Sequence, residues 1–206
     1  MKITDIQKAN GSRYTIFIDD EYWYILDGEI ILANNLRVGA EVSQQQLDDY
    51  KQQAQVRKAR ERAFYLISYR DHSQKEMFNK LKKSVDEKVA AQTVAMLVKQ
   101  GLIDDTAYAQ KLSDYYLITK KWGKRKAMYE MLNKGIDKEL ITASLDECEV
   151  DTSANIIEII EQKYYDKLTD YNDRQKVIAA LMRRGYVYSQ IKTAIDEYAQ
   201  QDTDYE

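Results

Sequence analysis

The chain has no proline in 206 residues, one cysteine, one histidine and seven glycines. Each scarcity excludes something. Without proline no helix interior is forced to break, so long helices with short connections are permitted. A single cysteine, Cys148, allows no intrachain disulfide and no thiolate metal cluster; it is expected as a buried, inert thiol. A single histidine, His72, rules out a multi-histidine zinc site and is expected on a surface turn. A Cys–His dyad would need His72 and Cys148 to meet from distant segments, and neither sits in a local nucleophile signature. No run approaches the ~20 apolar residues of a membrane helix. Met1-Lys2-Ile3-Thr4-Asp5 lacks the basic start and apolar core of a signal peptide. The expectation is a soluble, cytoplasmic protein with no membrane partner. Neither of the glycine-rich phosphate loops occurs, GxxxxGK followed by Ser or Thr, or GxGxxG. Acidic pairs such as Asp19-Asp20 and Asp104-Asp105 are accounted for as turn and helix-cap residues. These exclusions argue against an enzyme and imply no cofactor, no metal and no small-molecule substrate.

The formal net charge is only −3, which does not mark a general nucleic-acid binder. Its distribution says more. Residues 1–50 carry four basic and nine acidic side chains, and residues 57–83 carry nine basic and three acidic. From Asp196 onward there are five acidic residues and no basic ones. A basic middle between acidic ends can create a local positive surface despite the overall sign.

A pattern recurs three times, about fifty residues apart, centred on Leu81-Lys82-Lys83-Ser84-Val85, Leu132-Asn133-Lys134-Gly135-Ile136 and Met182-Arg183-Arg184-Gly185-Tyr186. Aligning Ser84, Gly135 and Gly185 brings apolar columns into line: Met77, Met128 and Ile178; Leu81, Leu132 and Met182; Val85, Ile136 and Tyr186; Ala90, Ile141 and Ile191; Val94, Leu145 and Ile195. A fixed period of this length reads as stacked supersecondary units that bury a core against their neighbours. Each copy reads as three helices. Ser73 with Glu76, Asp86, Asp104-Asp105, Asp137 and Asp151 are the expected helix caps. In the third copy Val187 stands where a cap is expected. Gly101, Gly135 and Gly185 are expected to end or turn helices in a left-handed conformation.

Residues 1–42 differ. Short alternating runs through Ile3, Tyr14, Ile16, Ile18, Tyr22, Tyr24, Leu26, Ile30 and Leu32 predict three or four strands. Asn10-Gly11 and Asp27-Gly28 are the hairpin signals. Ser43 with Gln46 predicts a capping box opening a long helix that runs to about Tyr69. The fold class is therefore mainly α: three tandem three-helix repeats in an elongated curved array, preceded by a small antiparallel β unit and a long linking helix. The expected organisation is a β-rich unit at 1–50, repeats at 51–103, 104–149 and 150–200, and an acidic tail at 201–206.

Chemistry rests on cations and aromatics. Lys120-Lys121-Trp122-Gly123-Lys124-Arg125-Lys126 gathers five cations around a tryptophan at a helix–helix junction. Arg183-Arg184 precedes Gly185 as Lys82-Lys83 precedes Ser84. Cations at helix C-termini stabilise the dipole by about 0.3–1 kcal/mol each, which accounts for Lys82-Lys83 and Arg183-Arg184. It does not account for the 120–126 cluster, which spans a loop and a helix start. Lys120, Lys121, Lys124, Arg125 and Lys126 are the first candidates for contact with a partner or DNA, and Arg183 and Arg184 the second. The seventeen tyrosines exceed what a core needs, and exposed tyrosine favours interfaces.

Arg70, Ser73, Glu76 and Leu81, then Gly101-Leu102-Ile103-Asp104-Asp105 and Tyr108-Ala109, then Gly123, Arg125, Leu132 and Lys134-Gly135-Ile136, then Arg183-Arg184-Gly185-Tyr186 give the chain a familiar order. Over roughly residues 58–197 it resembles the RecX family of bacterial recombinase regulators. The resemblance implies an all-helical array of three-helix repeats without catalysis of its own. It implies binding to RecA, mainly as the filament on DNA, along the filament's groove. The expected outcome is restraint of strand exchange, ATP hydrolysis and co-protease activity, within recombination, repair and the SOS response. DNA would be met weakly or through the filament. Lys120-Lys121 stands where the family often carries arginine, which keeps the charge and loses the bidentate fork. Two other readings of the residues stay open: a stand-alone DNA-binding protein of helix-turn-helix type, and a helical-repeat scaffold for protein interactions.

Overall fold

The alternating N-terminal runs form strands β1 (Ile3–Lys8), β2 (Arg13–Ile18) and β3 (Glu21–Asp27), an antiparallel sheet in the order β1-β2-β3. The computed structural model describes residues 1–203, with side chains through residue 200. Asn10-Gly11 lies in the β1–β2 connection, where Gly11 takes φ +65°. The second hairpin is not at Asp27-Gly28. Asp19 and Asp20 turn β2 into β3, both with positive φ (49° and 70°), a conformation that short acidic side chains tolerate. Asp27-Gly28 instead opens helix α1 (Gly28–Ala33). There the Gly28 N–H donates to Ser12 O at 2.7 Å, so the backbone leaves the sheet. Ile30 and Leu32 are consequently helical, not strand residues: Ile30 is buried and Leu32 exposed.

Ser43 and Gln46 form the expected capping box at the start of α2 (Gln44–Ile67). The first half of α2 covers the sheet with Leu47, Tyr50 and Ala54, which join Ile3, Ile16, Ile18 and Leu26 in one core. Its second half serves another core: Ala63 and Leu66 pack with Met77 and Leu81 of α3 (Gln74–Leu81) and with Ala90, Val94 and Leu97 of α4 (Glu87–Lys99). Asp86 sits at the N-cap of α4 but does not cap it with its side chain. Its carboxylate accepts from Gln55 Nε2 at 2.8 Å, and its own N–H donates to Gln55 Oε1 at 2.8 Å. The buried Gln55 amide is satisfied by this pair, which draws the carboxylate away from the helix.

The chain divides into two compact units. One comprises residues 1–71 and 77–103; the other comprises residues 72–76 and everything from 104 onward. The second unit holds α5 (Asp105–Asp114), which runs on as a π-helical turn (Tyr115–Thr119), then α6 (Lys124–Asn133), α7 (Lys138–Glu147), α8 (Thr152–Lys163), α9 (Tyr171–Arg183) and α10 (Tyr188–Thr203). Asp104, Asp137 and Asp151 each accept first-turn N–H groups with their carboxylates, as does Asp170 at α9. At α10 the Gln190 side chain accepts from the Val187 N–H at 3.1 Å, half of a capping box without the hydroxyl half. Tyr108, Leu112, Tyr116, Met131, Ile136, Ile141 and Leu145 form one core, and Ile156, Ile160, Leu181, Tyr186, Ile191 and Ile195 another. His72, expected on the surface, is buried at 4% exposure. It precedes Ser73, itself fully buried, and both are drawn into the second unit. The last residues of the expected acidic tail, 204–206, lie outside the described residues. Among the described residues no helix is long and apolar enough to cross a membrane.

The repeat is real, with one slip in its register. Gly135 and Gly185 take φ +77° and +95°. The following N–H, of Ile136 or Tyr186, donates five residues back, to Met131 O or Leu181 O at 3.3 Å. This is the glycine-ended helix turn. Ser84 has no such conformation, and Val85 N–H reaches only four residues back, to Leu81 O at 3.2 Å. The first turn is therefore one residue shorter. Leu81 matches Met131 and Leu181, all 0% exposed, whereas Leu132 and Met182 are 42% and 47% exposed. Likewise Met77 matches Ala127 and Val177, not Met128 and Ile178. Columns beyond the turn keep their register: Ala90, Ile141 and Ile191 are each 0% exposed.

Candidate interaction site

The seven candidate cations fall on two turns of the second unit. Lys120 and Lys121 follow the π-helical turn, and Lys124, Arg125 and Lys126 form the first turn of α6 behind its N-cap Gly123. Arg183 ends α9 and Arg184 is its C-cap. In the sequence these are separate clusters; the fold brings them together. Gly123 N–H donates to Arg184 O at 2.9 Å. A Cβ on Gly123 would stand 2.2 Å from the C and O of Gly185, and one on Gly185 would stand 2.5 Å from Lys126 N. No side chain fits at either position, so glycine is what allows the backbones to touch. Tyr186 closes the joint from beneath, its hydroxyl donating to Lys121 O at 2.9 Å. Burial pushes the Tyr186 phenol up to about 12, against the opposing charge of Arg184.

The charges in this joint are only partly compensated. Lys121, held at φ +50°, pairs with Glu158, and Lys124 pairs with Asp146 at 2.8 Å. Lys126 Nζ lies 4.1 Å above the Trp122 ring, which stacks on Tyr116 at 4.8 Å and 11°. Lys120 Nζ lies 5.3 Å above Tyr115. Among the described residues, Lys120, Arg125, Lys126, Arg183 and Arg184 make no ion pair. Lys124, Arg125 and Lys126 also oppose the helix dipole, which favours anions at a helix start. Two turns, five uncompensated cations and an aromatic stack make a surface suited to an anionic partner.

A similar turn-to-turn contact lies elsewhere in the second unit, where residues 72–76 meet the turn after α6, and there an acid faces the cation of the turn. Ser73 caps α3 in a box with Glu76, the Glu76 N–H donating to Ser73 Oγ at 3.0 Å and Glu76 Oε2 accepting from Ser73 N–H at 3.3 Å. The Ser73 hydroxyl also donates to Lys134 O. The place a Cβ would take on Gly135 is filled by the Lys75 side chain, 2.5 Å away. Lys134 faces Glu76 at 3.9 Å and the Tyr108 ring at 6.0 Å. Asp105 accepts from Gln74 N–H at 2.9 Å, yet burial holds its carboxyl above the usual range.

Among the described residues of the unit, the remaining reactive side chains are scattered. The Cys148 thiol is buried, and burial raises it, helped by a hydrogen bond with Asp114. Ser113 and Ser144 hydroxyls share a buried bond of 2.8 Å. Among the described residues no three His, Cys, Asp or Glu side chains are placed to hold a metal. The sequence carries no sign of the Gly123–Gly185 contact beyond two glycines each next to a basic residue. Nor did it show the π-helical turn that sets Tyr116 beneath Trp122.

A small antiparallel sheet followed by three-helix repeats defines a tandem helical-repeat protein. Comparison with known proteins narrows the class. Residues 1–43 match the regulatory protein RecX N-terminal domain, and residues 59–97, 104–145 and 149–195 match the first, second and third RecX three-helix domains. The chain belongs to the RecX family, and its role is regulatory. The regulatory protein RecX of Listeria monocytogenes serotype 4a (strain HCC23) is 30% identical over 205 residues, 96% of this chain and 76% of that one. That of Clostridioides difficile (strain 630) is 26% identical over 194 residues, 93% and 92% of the two chains. A crystal structure of a regulatory protein RecX superposes with a TM-score of 0.67 at 23% identity, covering 95% of this chain and 98% of that one. The structure of RecX from Lactobacillus salivarius gives 0.64 at 23% identity, covering 71% and 97%. These two likenesses speak for the fold.

Proposed function

We propose that the chain binds RecA, chiefly as its filament on DNA, in the cytoplasm. Binding restrains strand exchange, ATP hydrolysis and co-protease activity, and the chain catalyses no reaction of its own. Family membership supports the partner. The observation that carries the site is the joint at Gly123 and Gly185, where Lys120, Arg125, Lys126, Arg183 and Arg184 stand uncompensated. A filament groove presents phosphates beside protein, and cations that lack internal partners lose the least on meeting them. Each neutralised phosphate releases counterions, so binding should weaken steeply with salt.

The test is the rate of ATP hydrolysis by RecA on single-stranded DNA, with this protein titrated in below the RecA concentration. Inhibition is expected for the unsubstituted chain and a clear loss of inhibition for Lys120→Glu with Arg183→Glu, two exposed positions. No effect of the unsubstituted chain at equimolar RecA sets the reading aside. The DNA-binding alternative is separated by naked DNA: tight binding there, unimproved by RecA, favours a stand-alone DNA-binding protein.

A further inference from the structure

The register slip leaves an outward stripe on α6 that the repeat does not explain. Arg125, Tyr129 and Leu132 lie at i, i+4 and i+7 on one helix face. Tyr129 is 63% exposed and Leu132 is 42% exposed. Half-buried Met128 flanks them. In the other two copies the matching positions are Lys75, Asn79 and Lys82, and Gln175, Ala179 and Met182. An arginine, a tyrosine and a leucine in one exposed row occur together in the second repeat only. Tyrosine and arginine are the side chains that dominate binding energy at protein interfaces.

We propose that this face of α6 docks a protein surface, one offering a carboxylate to Arg125 beside an apolar recess for Tyr129 and Leu132. Phosphate contacts come instead from the adjoining cations. The apolar part of the row chooses protein over nucleic acid as occupant: Leu132 gains from leaving water, and a phosphate backbone gives it nowhere to go. Arg125 carries an uncompensated charge at one end of the row, and its planar fork serves a carboxylate as well as a phosphate, so on a protein surface it is met by an acidic side chain. The row is also continuous with the cationic joint, because Arg125 belongs to both. The proposal rests on the filament reading and deepens it: the joint meets the DNA, and α6 meets the subunit that coats it.

The experiment compares two double variants, Tyr129→Ala with Leu132→Ser, and Lys120→Glu with Arg183→Glu. Binding is measured by interferometry on a tethered single-stranded oligonucleotide, bare or coated with RecA and a non-hydrolysable ATP analogue, across a salt series. The α6 variant should bind the coated strand about tenfold or more weakly, with its salt slope and its binding to the bare strand unchanged. The cation variant should lose salt slope by about one per phosphate contact removed. Coated-strand affinity of the α6 variant within about twofold of the unsubstituted chain overturns the proposal, as does an equal loss on the bare strand. Failure of the unsubstituted chain to bind the coated strand overturns the filament reading, and the α6 assignment with it.

Discussion

The contact between Gly123 and Gly185 can be tested by adding one methyl group at a time. Gly123 has an ordinary φ of −73°, so Gly123→Ala adds no backbone strain. Its methyl would meet the Gly185 carbonyl group at 2.2 Å and Tyr186 N at 2.4 Å, and backbone cannot swing aside as a side chain can. The joint must open, which breaks the Gly123–Arg184 and Tyr186–Lys121 hydrogen bonds. Two such bonds at about 0.5–1.5 kcal/mol each, with some residual overpacking, place the loss at about 2–4 kcal/mol. Gly185→Ala adds a positive φ of 95° to a backbone clash. With about 1–2 kcal/mol for the left-handed conformation, its loss is about 3–5 kcal/mol. Gly135→Ala has the positive φ and would meet the Lys75 Cβ at 2.7 Å as well as its more movable Cδ at 2.5 Å, so it should cost about 1–2 kcal/mol for the conformation and more for the overpacking against a Cβ that cannot swing away. The double variant Gly123→Ala/Gly185→Ala should fall short of the sum, because each change opens the same joint.

The assay is urea unfolding followed by Trp122 fluorescence in a Trp23→Phe background, which leaves one reporter beside Gly123. Stacking on Tyr116 makes that reporter sensitive to the joint itself. Gly185→Ala is expected to lower the midpoint more than Gly123→Ala. Gly123→Ala within about 0.5 kcal/mol of the unsubstituted chain, the range of an inert surface change, would refute the contact and the convergence of the two cation clusters built on it.

The register slip predicts opposite outcomes for adjacent residues: Met131→Ala should cost about 2–5 kcal/mol by cavity formation, and Leu132→Ala should stay within about 0.5 kcal/mol, both read from urea midpoints. Tyr186→Phe should cost about 1 kcal/mol at neutral pH through the lost bond to Lys121 O. The deficit should then shrink as pH rises. The folded Tyr186 titrates near 12 against 10 for the free side chain, so deprotonation of the unfolded chain erodes the stability of the tyrosine form from about pH 10 upward, and the phenylalanine form escapes it. Parallel stability curves between pH 9 and 11 would contradict this. Ser73→Ala removes a cap and the bond to Lys134 O together and should cost about 1–2 kcal/mol, while Ser84→Ala, at an exposed turn, should be nearly silent in the same urea unfolding.

Local signals were legible and non-local ones were not. Ser43 with Gln46, Asp104, Asp137 and Asp151 could be placed as caps because a cap needs only residues within one turn of it. Asp86 could not, since its carboxylate is claimed by Gln55, thirty-one residues away. The second hairpin lies at Asp19-Asp20 rather than Asp27-Gly28: both pairs accept left-handed geometry, and the bond of Gly28 N–H to Ser12 O, which takes the chain out of the sheet, is not a local signal. The register of the second helix in each repeat failed for a related reason. A glycine in the left-handed conformation adds one residue to the turn, and Ser84 lacks it, so columns aligned on the turn drift by one before it and agree after it. The candidate cations were legible as charge, but their meeting was not, because it depends on two backbones touching where no side chain intervenes.

The start of α6 shows what the joint trades for its charge. Helices α5, α7, α8 and α9 each begin on an aspartate whose carboxylate accepts first-turn N–H groups. Helix α6 begins on Gly123, with no side-chain cap and no acid in its first turn, and three cations follow. A missing cap forgoes about 0.5–2 kcal/mol, and each cation at that end opposes the dipole by about 0.3–1 kcal/mol. An aspartate at 123 would remove both costs and would also wedge a Cβ into Gly185. The contact between turns therefore excludes the usual cap, and the lost stabilisation stays available to an anion from outside. Among the described residues Lys120, Lys126, Arg183 and Arg184 make no ion pair, so an anion met at the joint would offset their charge without displacing an internal partner. This gives the joint its expected preference for an anionic partner over water.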